Sequence, residues 1–249
     1  MNNLDNDKII EFVVDMAEVM LANGAEVYRV EEAMGYISQK LTGDHGENFV
    51  TPTTIICTLN NDSKTIMRRV RYRTINFERV SMINQLSRDL TFDKIELEQA
   101  IKELQIIKEK PTHSNIFYIF VAGICLGSFS LLFGGNWLDT IASVINGVIL
   151  QTVLIFLDYI RLSTFVRMII GGALVTALTL FFLTIGLGNN QDIILTSSIM
   201  LLVPGVTLTN SFRDILANDY LSGISRLMEA IFVAVCIAVG VIVVLGIFL

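Results

Sequence analysis

The chain has 249 residues, 53% hydrophobic and 17% charged, with a net charge of −6 and a mean hydropathy of +0.61. That hydropathy excludes an ordinary soluble globular chain, and an acidic balance with no basic cluster beside an apolar run gives no basis for nucleic-acid or anionic-lipid binding. Three cysteines without a CxxC spacing support neither a disulfide framework nor a metal site, and the polar start MNNLDNDKIIEF lacks the basic-then-apolar pattern of a cleavable signal peptide.

Residues 1–112 read as an N-terminal cytoplasmic α+β domain, and residues 113–249 as an all-α membrane bundle of five transmembrane helices, one of them broken at Pro204-Gly205. Two amphipathic helices are expected at 7–22 and 25–41, the first with Ile9, Phe12, Val13, Met16, Val19 and Met20 at helical spacing, separated by Asn23-Gly24. Residues 48–59 are rich in threonine, isoleucine and valine. After the turn residues Asn60-Asn61-Asp62 comes SKTIMRRVRYR, so two strands joined as a hairpin fit best. Arg69, Arg71 and Arg73 alternate with Val70 and Tyr72, giving either a solvated sheet face or an anion-binding surface. Helices at 76–88 and 92–108 follow, and Lys110-Pro111-Thr112 ends the pattern.

Five apolar spans are expected at 114–133, 137–157, 165–187, 193–208 continuing after the break, and 222–249, each of roughly the 20 residues that cross about 30 Å of hydrocarbon. The connections at 134–136 and 188–192 carry no basic residue, whereas 158–167 holds Arg161 and Arg167 and the fourth connection holds Arg213 and Arg226. The positive-inside rule places the basic loops and the N-terminal domain in the cytoplasm and the C-terminus outside. Gly123-x-x-x-Gly127 and Gly171-Gly172-Ala173 offer flat surfaces for close helix approach. Asn146 and Gln151 lie inside the second span and face other helices or a cavity. Asp139 and Asp158 sit at its ends, as interfacial carboxylates or as proton-coupling groups.

The fourth span carries the main site signal. Pro204 removes a backbone donor and Gly205 holds a helix weakly, and broken backbone inside a bilayer is tolerated only where it is buried in protein or lines a wet cavity. A second half-helix starting near Gly205 would present free amides and a positive dipole end to a carboxylate. Ser197 and Ser198 before the break, and Thr207, Thr209 and Asn210 after it, could bond the rest of a small polar substrate. A plain proline kink is the other reading. Arg213, Asp214, Asp219, Arg226 and Glu229 read as structural ion pairs at a cytoplasmic gate or as direct substrate contacts, with Arg226 and Glu229 three apart on one helical face and an acid such as Asp214 or Asp219 as the coupling group.

The run LVPGVTLTNSFRDILANDYLSGISRLMEA, the earlier run NGAEVYRVEEAM, the TPTTI of residues 51–55 and INFERVSMINQLSRDL together resemble the threonine/serine exporter family, in the same order over essentially the whole chain. The resemblance implies a cytoplasmic domain followed by five spans in the cell inner membrane. It also implies proton-driven export of threonine and serine, or of small dicarboxylates such as succinate in a split two-subunit branch. Fused members continue into a second module of about four spans. The chain is therefore expected to act as the larger subunit beside a small membrane protein of about four spans, with homo-oligomerisation open, a small carboxylate as substrate and no cofactor. The family's N-terminal region has been likened to hydrolases, but with His45 as the one internal histidine of the domain and no GxSxG, no catalytic residue is assigned. A membrane-anchored regulatory or scaffold protein with a ligand-sensing soluble domain is the alternative function.

Overall fold

The computed structural model describes residues 3–59, 64–111 and 113–248; the expected turn Asn60-Asn61-Asp62, Thr112 and Leu249 lie outside the described residues. The elements run α1 Asn3–Ala22, α2 Val27–Thr42, β1 Glu47–Thr51, β2 Thr54–Leu59, β3 Lys64–Arg69, α3 Phe77–Thr91 and α4 Leu97–Glu109. They continue with α5 Asn115–Leu132, α6 Trp137–Tyr159, α7 Thr164–Thr184, α8 Gln191–Ile199, α9 Gly205–Leu216 and α10 Tyr220–Phe248. Internal contacts divide the chain into two compact units, Met1–Pro111 with Val206–Leu227, and Thr112–Gly205 with Met228–Leu249.

In the first unit α1 is the central element. Ile10, Val13, Val14, Met16, Ala17, Met20 and Leu21 are all essentially inaccessible, a burial on most faces that marks a core helix. One stripe stays polar, and its acids pair across to other elements: Asp15 with Lys108 of α4 at 2.5 Å and with Arg68 of β3 at 3.2 Å, and Glu18 with Arg68 at 2.9 Å. Helix α2 buries Val27, Val30, Met34 and Ile37 along one face and ends at Gly43, whose φ of +79° glycine adopts without strain.

The sheet corrects the expected hairpin. The stretch 48–59 is two strands, and the sheet is a three-stranded antiparallel meander in the order β1-β2-β3. Thr51 faces Thr54 across the first turn. Pro52 is the cause: it has no N–H to give to a ladder, so the chain reverses at Pro52-Thr53. The strand expected to carry alternating arginines ends at Arg69, and Arg71, Tyr72 and Arg73 are exposed beyond it. Ile55, Cys57 and Leu59 of β2 point inward.

In the second unit, α5 and α6 pack closest. A side chain at Gly147 would sit 2.7 Å from the Ala122 carbonyl oxygen, so only glycine admits that approach. Helices α7 and α10 meet in the same way, with Gly172 against Ile237 and Gly240 against Ile169. Leu150, Val175, Leu202, Val233 and Ile237 form the apolar core. Phe120, Ile124 and Leu131 of α5, Phe181 of α7 and Ile242 of α10 are exposed, the arrangement expected of a surface solvated by lipid.

Five spans were expected; among the described residues four helices are long and apolar enough to cross a membrane, α5, α6, α7 and α10. The stretch 193–208 is divided. Helix α8 has nine residues, about 13 Å at 1.5 Å per residue, well short of a bilayer core. The chain leaves helical geometry through Val203 and Pro204 and resumes as α9 at Gly205. Pro204 lacks the donor that would continue the ladder and disfavours helical backbone at the residue before it.

Candidate functional site

Within the first unit, α9 and the start of α10 close on the α1–α2 loop, bringing together the two sequence runs NGAEV and TNSFRDILANDYLSGISR. Asn210 Nδ2 donates to the Gly24 carbonyl at 3.0 Å, and Arg226 Nη2 donates to the Ala25 carbonyl at 2.9 Å. Arg213 Nη1 pairs with Glu26 Oε1 at 2.5 Å, and the Val27 N–H at the start of α2 donates to Asp214 Oδ1 at 3.0 Å. The other carboxylate oxygen of Asp214 pairs with Arg226 Nε at 3.2 Å. Asp214 is wholly buried and Arg226 nearly so. The loop's carbonyls, one of its amides and its carboxylate are thus taken by side chains that arrive from nearly 200 positions later in sequence. Gly223 permits the closure, since a Cβ there would lie 2.8 Å from the Ser211 carbonyl oxygen of α9.

The electrostatics of this clasp are unequal. Burial pushes the Asp214 carboxyl up to about 6; Arg226 and the Val27 N–H pull it down, and Asp219 and Glu26 push it further up. Glu26 is held below the usual carboxylate range: burial opposes this, but its hydrogen bonds to backbone and to Arg213, with the charges of Arg29 and Arg213, outweigh it. Glu31 is raised by burial first and then by Asp219 and Asp214, against a bond from the Val50 N–H. The cluster therefore holds a carboxyl group that changes charge near neutral pH, next to an arginine that does not.

The second unit holds a different polar cluster, neutral throughout. Ser143 and Asn146 of α6, Thr176 and Thr179 of α7, and Ser197 and Ser198 of α8 have no exposed surface. Ser143 Oγ and Ser197 Oγ are 2.9 Å apart, and Asn146 Nδ2 donates to Ser198 Oγ at 2.9 Å and Thr179 Oγ1 at 3.3 Å. Asp139 sits one turn above, 1% exposed, and its carboxylate is fully engaged. Oδ1 accepts from the amides of Asn189 and Asn190 at 2.7 and 3.0 Å, while Oδ2 accepts from Asn136 at 3.2 Å. It closes a capping box on α6 and fixes the α7–α8 connection.

Of the residues singled out from sequence, Asn210, Arg213, Asp214 and Arg226 come together in the clasp. Asp219 lies beside it, accepting from the Ser222 amide at 3.3 Å. Ser197, Ser198 and Asp139 belong to the second unit's cluster. Pro204, Gly205, Thr207 and Thr209 form the break and the first turn of α9, with Gly205 and Thr209 exposed and Pro204 and Thr207 half-buried; Glu229 is half-buried in α10. Sequence reading missed Glu26, Ser143, Thr176 and Thr179. Their signal was available as pairs of small hydroxyl or amide residues three apart within apolar spans, Ser143 with Asn146 and Thr176 with Thr179. Among the described residues no group of three or more His, Cys, Asp or Glu side chains is placed to hold a metal ion. A cavity of about 890 Å³ is an open groove between α1 and α4 lined by Lys8, Glu11, Asp15, Lys102 and Lys108, in which Asp15 and Lys108 already pair with each other.

A family model described as "Putative threonine/serine exporter" matches residues 11–248. The "Probable threonine/serine exporter" of Mycobacterium tuberculosis (strain ATCC 25618 / H37Rv) is 25% identical over 249 residues, covering 97% of this chain and 46% of that protein. The "Threonine/serine exporter" of Corynebacterium glutamicum is 26% identical over 175 residues, covering 67% of this chain and 35% of that protein. The chain spans less than half the length of these curated relatives. No solved structure matches it.

Proposed function

Because the chain belongs to the threonine/serine exporter family, we propose that it exports small amino acids, threonine and serine first, across the cytoplasmic membrane as a secondary transporter and not as an enzyme. With four apolar helices of spanning length it is a multi-pass membrane protein. The observation that carries the reading is the wholly buried hydroxyl and amide cluster on α6, α7 and α8. Polar groups inside membrane helices cost free energy unless they bond to one another or to a cargo, and they mark a route. Succinate and similar dicarboxylates are the second substrate class in this proposal.

In this reading, residues 1–112 are a cytoplasmic domain and residues 113–249 the membrane domain. The basic connections lie inside, and the stretch 193–208, continuing after the break, forms a fifth crossing that leaves the C-terminus outside. The substrate carboxylate is placed at the Pro204-Gly205 break on the amides that follow Gly205, whose own N–H donates to the Val203 carbonyl at 2.8 Å, with Thr207 and Thr209 beside it. The clasp of Asn210, Arg213, Asp214, Asp219 and Arg226 is the gate on the cytoplasmic side, Glu229 and Asp139 are further coupling candidates, and Asp214 takes up the proton that couples export to the proton gradient. That the relatives are about twice as long supports a further membrane module, which we propose is a small partner protein of about four spans.

The test is flux of labelled threonine, serine and succinate in vesicles containing the chain, with and without that partner, under an imposed proton gradient. Gradient-dependent flux with both proteins present is expected. Absence of flux with both proteins folded, or flux indifferent to the gradient, would contradict the reading.

A further inference from the structure

Most hydroxyl hydrogens of the second unit's cluster are already spent within it or on backbone. Thr179 Oγ1 donates to the Val175 carbonyl at 2.8 Å and Thr176 Oγ1 to that of Gly172 at 2.8 Å. Ser143 Oγ is 2.9 Å from the Asp139 carbonyl and Ser197 Oγ is 3.0 Å from that of Ile194. Ser143 and Ser197 also share a 2.9 Å contact in which one of them donates, and since each hydroxyl has one hydrogen and two lone pairs the cluster holds more acceptor sites than hydrogens. With the Thr179 hydrogen on Val175, the NH₂ of Asn146 faces that oxygen at 3.3 Å and Ser198 Oγ at 2.9 Å. Its other end, Oδ1, is buried without a hydrogen-bond partner. An orphaned buried acceptor in so polar a surrounding is costly and calls for a donor.

A second feature has the same sign. Ser197 and Ser198 stand in the last turn of α8, where the helix dipole is negative. Acceptor-rich, donor-poor and electrically negative, yet carrying no ionised side chain, the cluster complements a group with several N–H donors, no acceptor and one positive charge.

We propose that this cluster, centred on Asn146 Oδ1 with Ser143, Thr179, Ser197 and Ser198, is a binding station for the primary ammonium group of the exported amino acid. The proposal rests on the export reading and adds the residues and the charge they select. The station is closed in this structure, and a ligand reaches it by displacement of α8, a nine-residue helix with non-helical backbone on both flanks.

The test measures binding to the full purified chain in nanodiscs, using L-threonine, threoninol, which keeps the amine and lacks the carboxylate, and 3-hydroxybutyrate, which keeps the carboxylate and lacks the amine. Sodium chloride is compared with choline chloride at equal ionic strength. Threonine and threoninol should bind and hydroxybutyrate should not. Asn146→Leu should weaken both amines at least tenfold, and Asn146→Asp, which keeps the shape and adds charge, should tighten threoninol. The aspartate variant serves if the leucine variant does not fold. Amine binding unchanged in Asn146→Leu, or weakened in Asn146→Asp, overturns the proposal. So does hydroxybutyrate binding as well as threonine. Protection by sodium alone that depends on Asn146 reassigns the station to an inorganic cation and overturns the ammonium. Amine binding without vesicle flux would sink export and keep the station; wild-type flux and KM in Asn146→Leu would do the reverse.

Discussion

The two polar clusters of this chain are built on opposite principles. In the first unit, ionised groups are paired around one loop: Asp214 with Arg226, both buried, and the buried Glu26 with the exposed Arg213. In the second, the groups are neutral, their hydrogens are used locally and an acceptor is left over. A buried ion pair is costly to break because the survivor keeps its charge in a poor solvent, while a hydroxyl pair between membrane helices contributes little to stability. The clasp therefore holds structure and can titrate, and the neutral core can change partners at small cost, as a site that loads and unloads must.

The largest expected effect breaks the first half of that contrast. Arg226→Met leaves Asp214 buried without its cation and should destabilise the first unit by about 3–5 kcal/mol. Adding Asp214→Leu should recover much of the loss, a non-additivity that a denaturation double-mutant cycle reads directly. Additive losses would mean that the two side chains do not act as a pair.

Next comes pH. The folded-state affinity of Asp214 for its proton is raised from an ordinary carboxylate to about 6, so the native state binds the proton more tightly than the unfolded chain does. Its contribution to stability is full below about pH 4 and is lost, by up to about 3 kcal/mol, as pH rises through 6. The stability of the wild type relative to Asp214→Asn should therefore fall over that window, and a flat difference would place the titration elsewhere.

A smaller effect tests the packing that surrounds the neutral core. Gly147→Ala sets a methyl against the Ala122 carbonyl and should cost about 1–3 kcal/mol as α5 and α6 are forced apart, measured by thermal unfolding in detergent. Smallest of all, Ser143→Ala should change stability by only about 0.6 kcal/mol, because each serine keeps company with backbone carbonyls in either case. A loss of several kcal/mol would make the core a structural clamp.

How much of this could be read in the sequence follows from where its signals are local. Helix periodicity in α1 and α2, the break at Pro204 and the close-packing glycines are encoded within a few residues and were legible. Pro52 was equally local and was passed over, at the cost of one strand. The clasp was half legible: Asn210, Arg213, Asp214 and Arg226 stood out as charges and amides beside apolar runs, but their partners are backbone groups of Gly24, Ala25 and Val27, which carry no side-chain signature. Arg226 reaches Asp214, a pairing that depends on the turn at 217–219 and that spacing along one helix does not suggest. The neutral core was least legible, since serines and threonines inside membrane spans bond to their own helix whether or not they serve a ligand. Its meaning lies in which lone pairs are left over, and only the assembled helices show that.

The most direct test of the division between the two clusters is the initial rate of threonine export measured against both substrate concentration and pH for Asn146→Ser and Asp214→Asn. The account predicts that the core variant raises KM and keeps the wild-type pH profile, and that the clasp variant keeps KM and loses the inflection near pH 6. A core variant that shifts the pH profile, or a clasp variant that changes only KM, would contradict it.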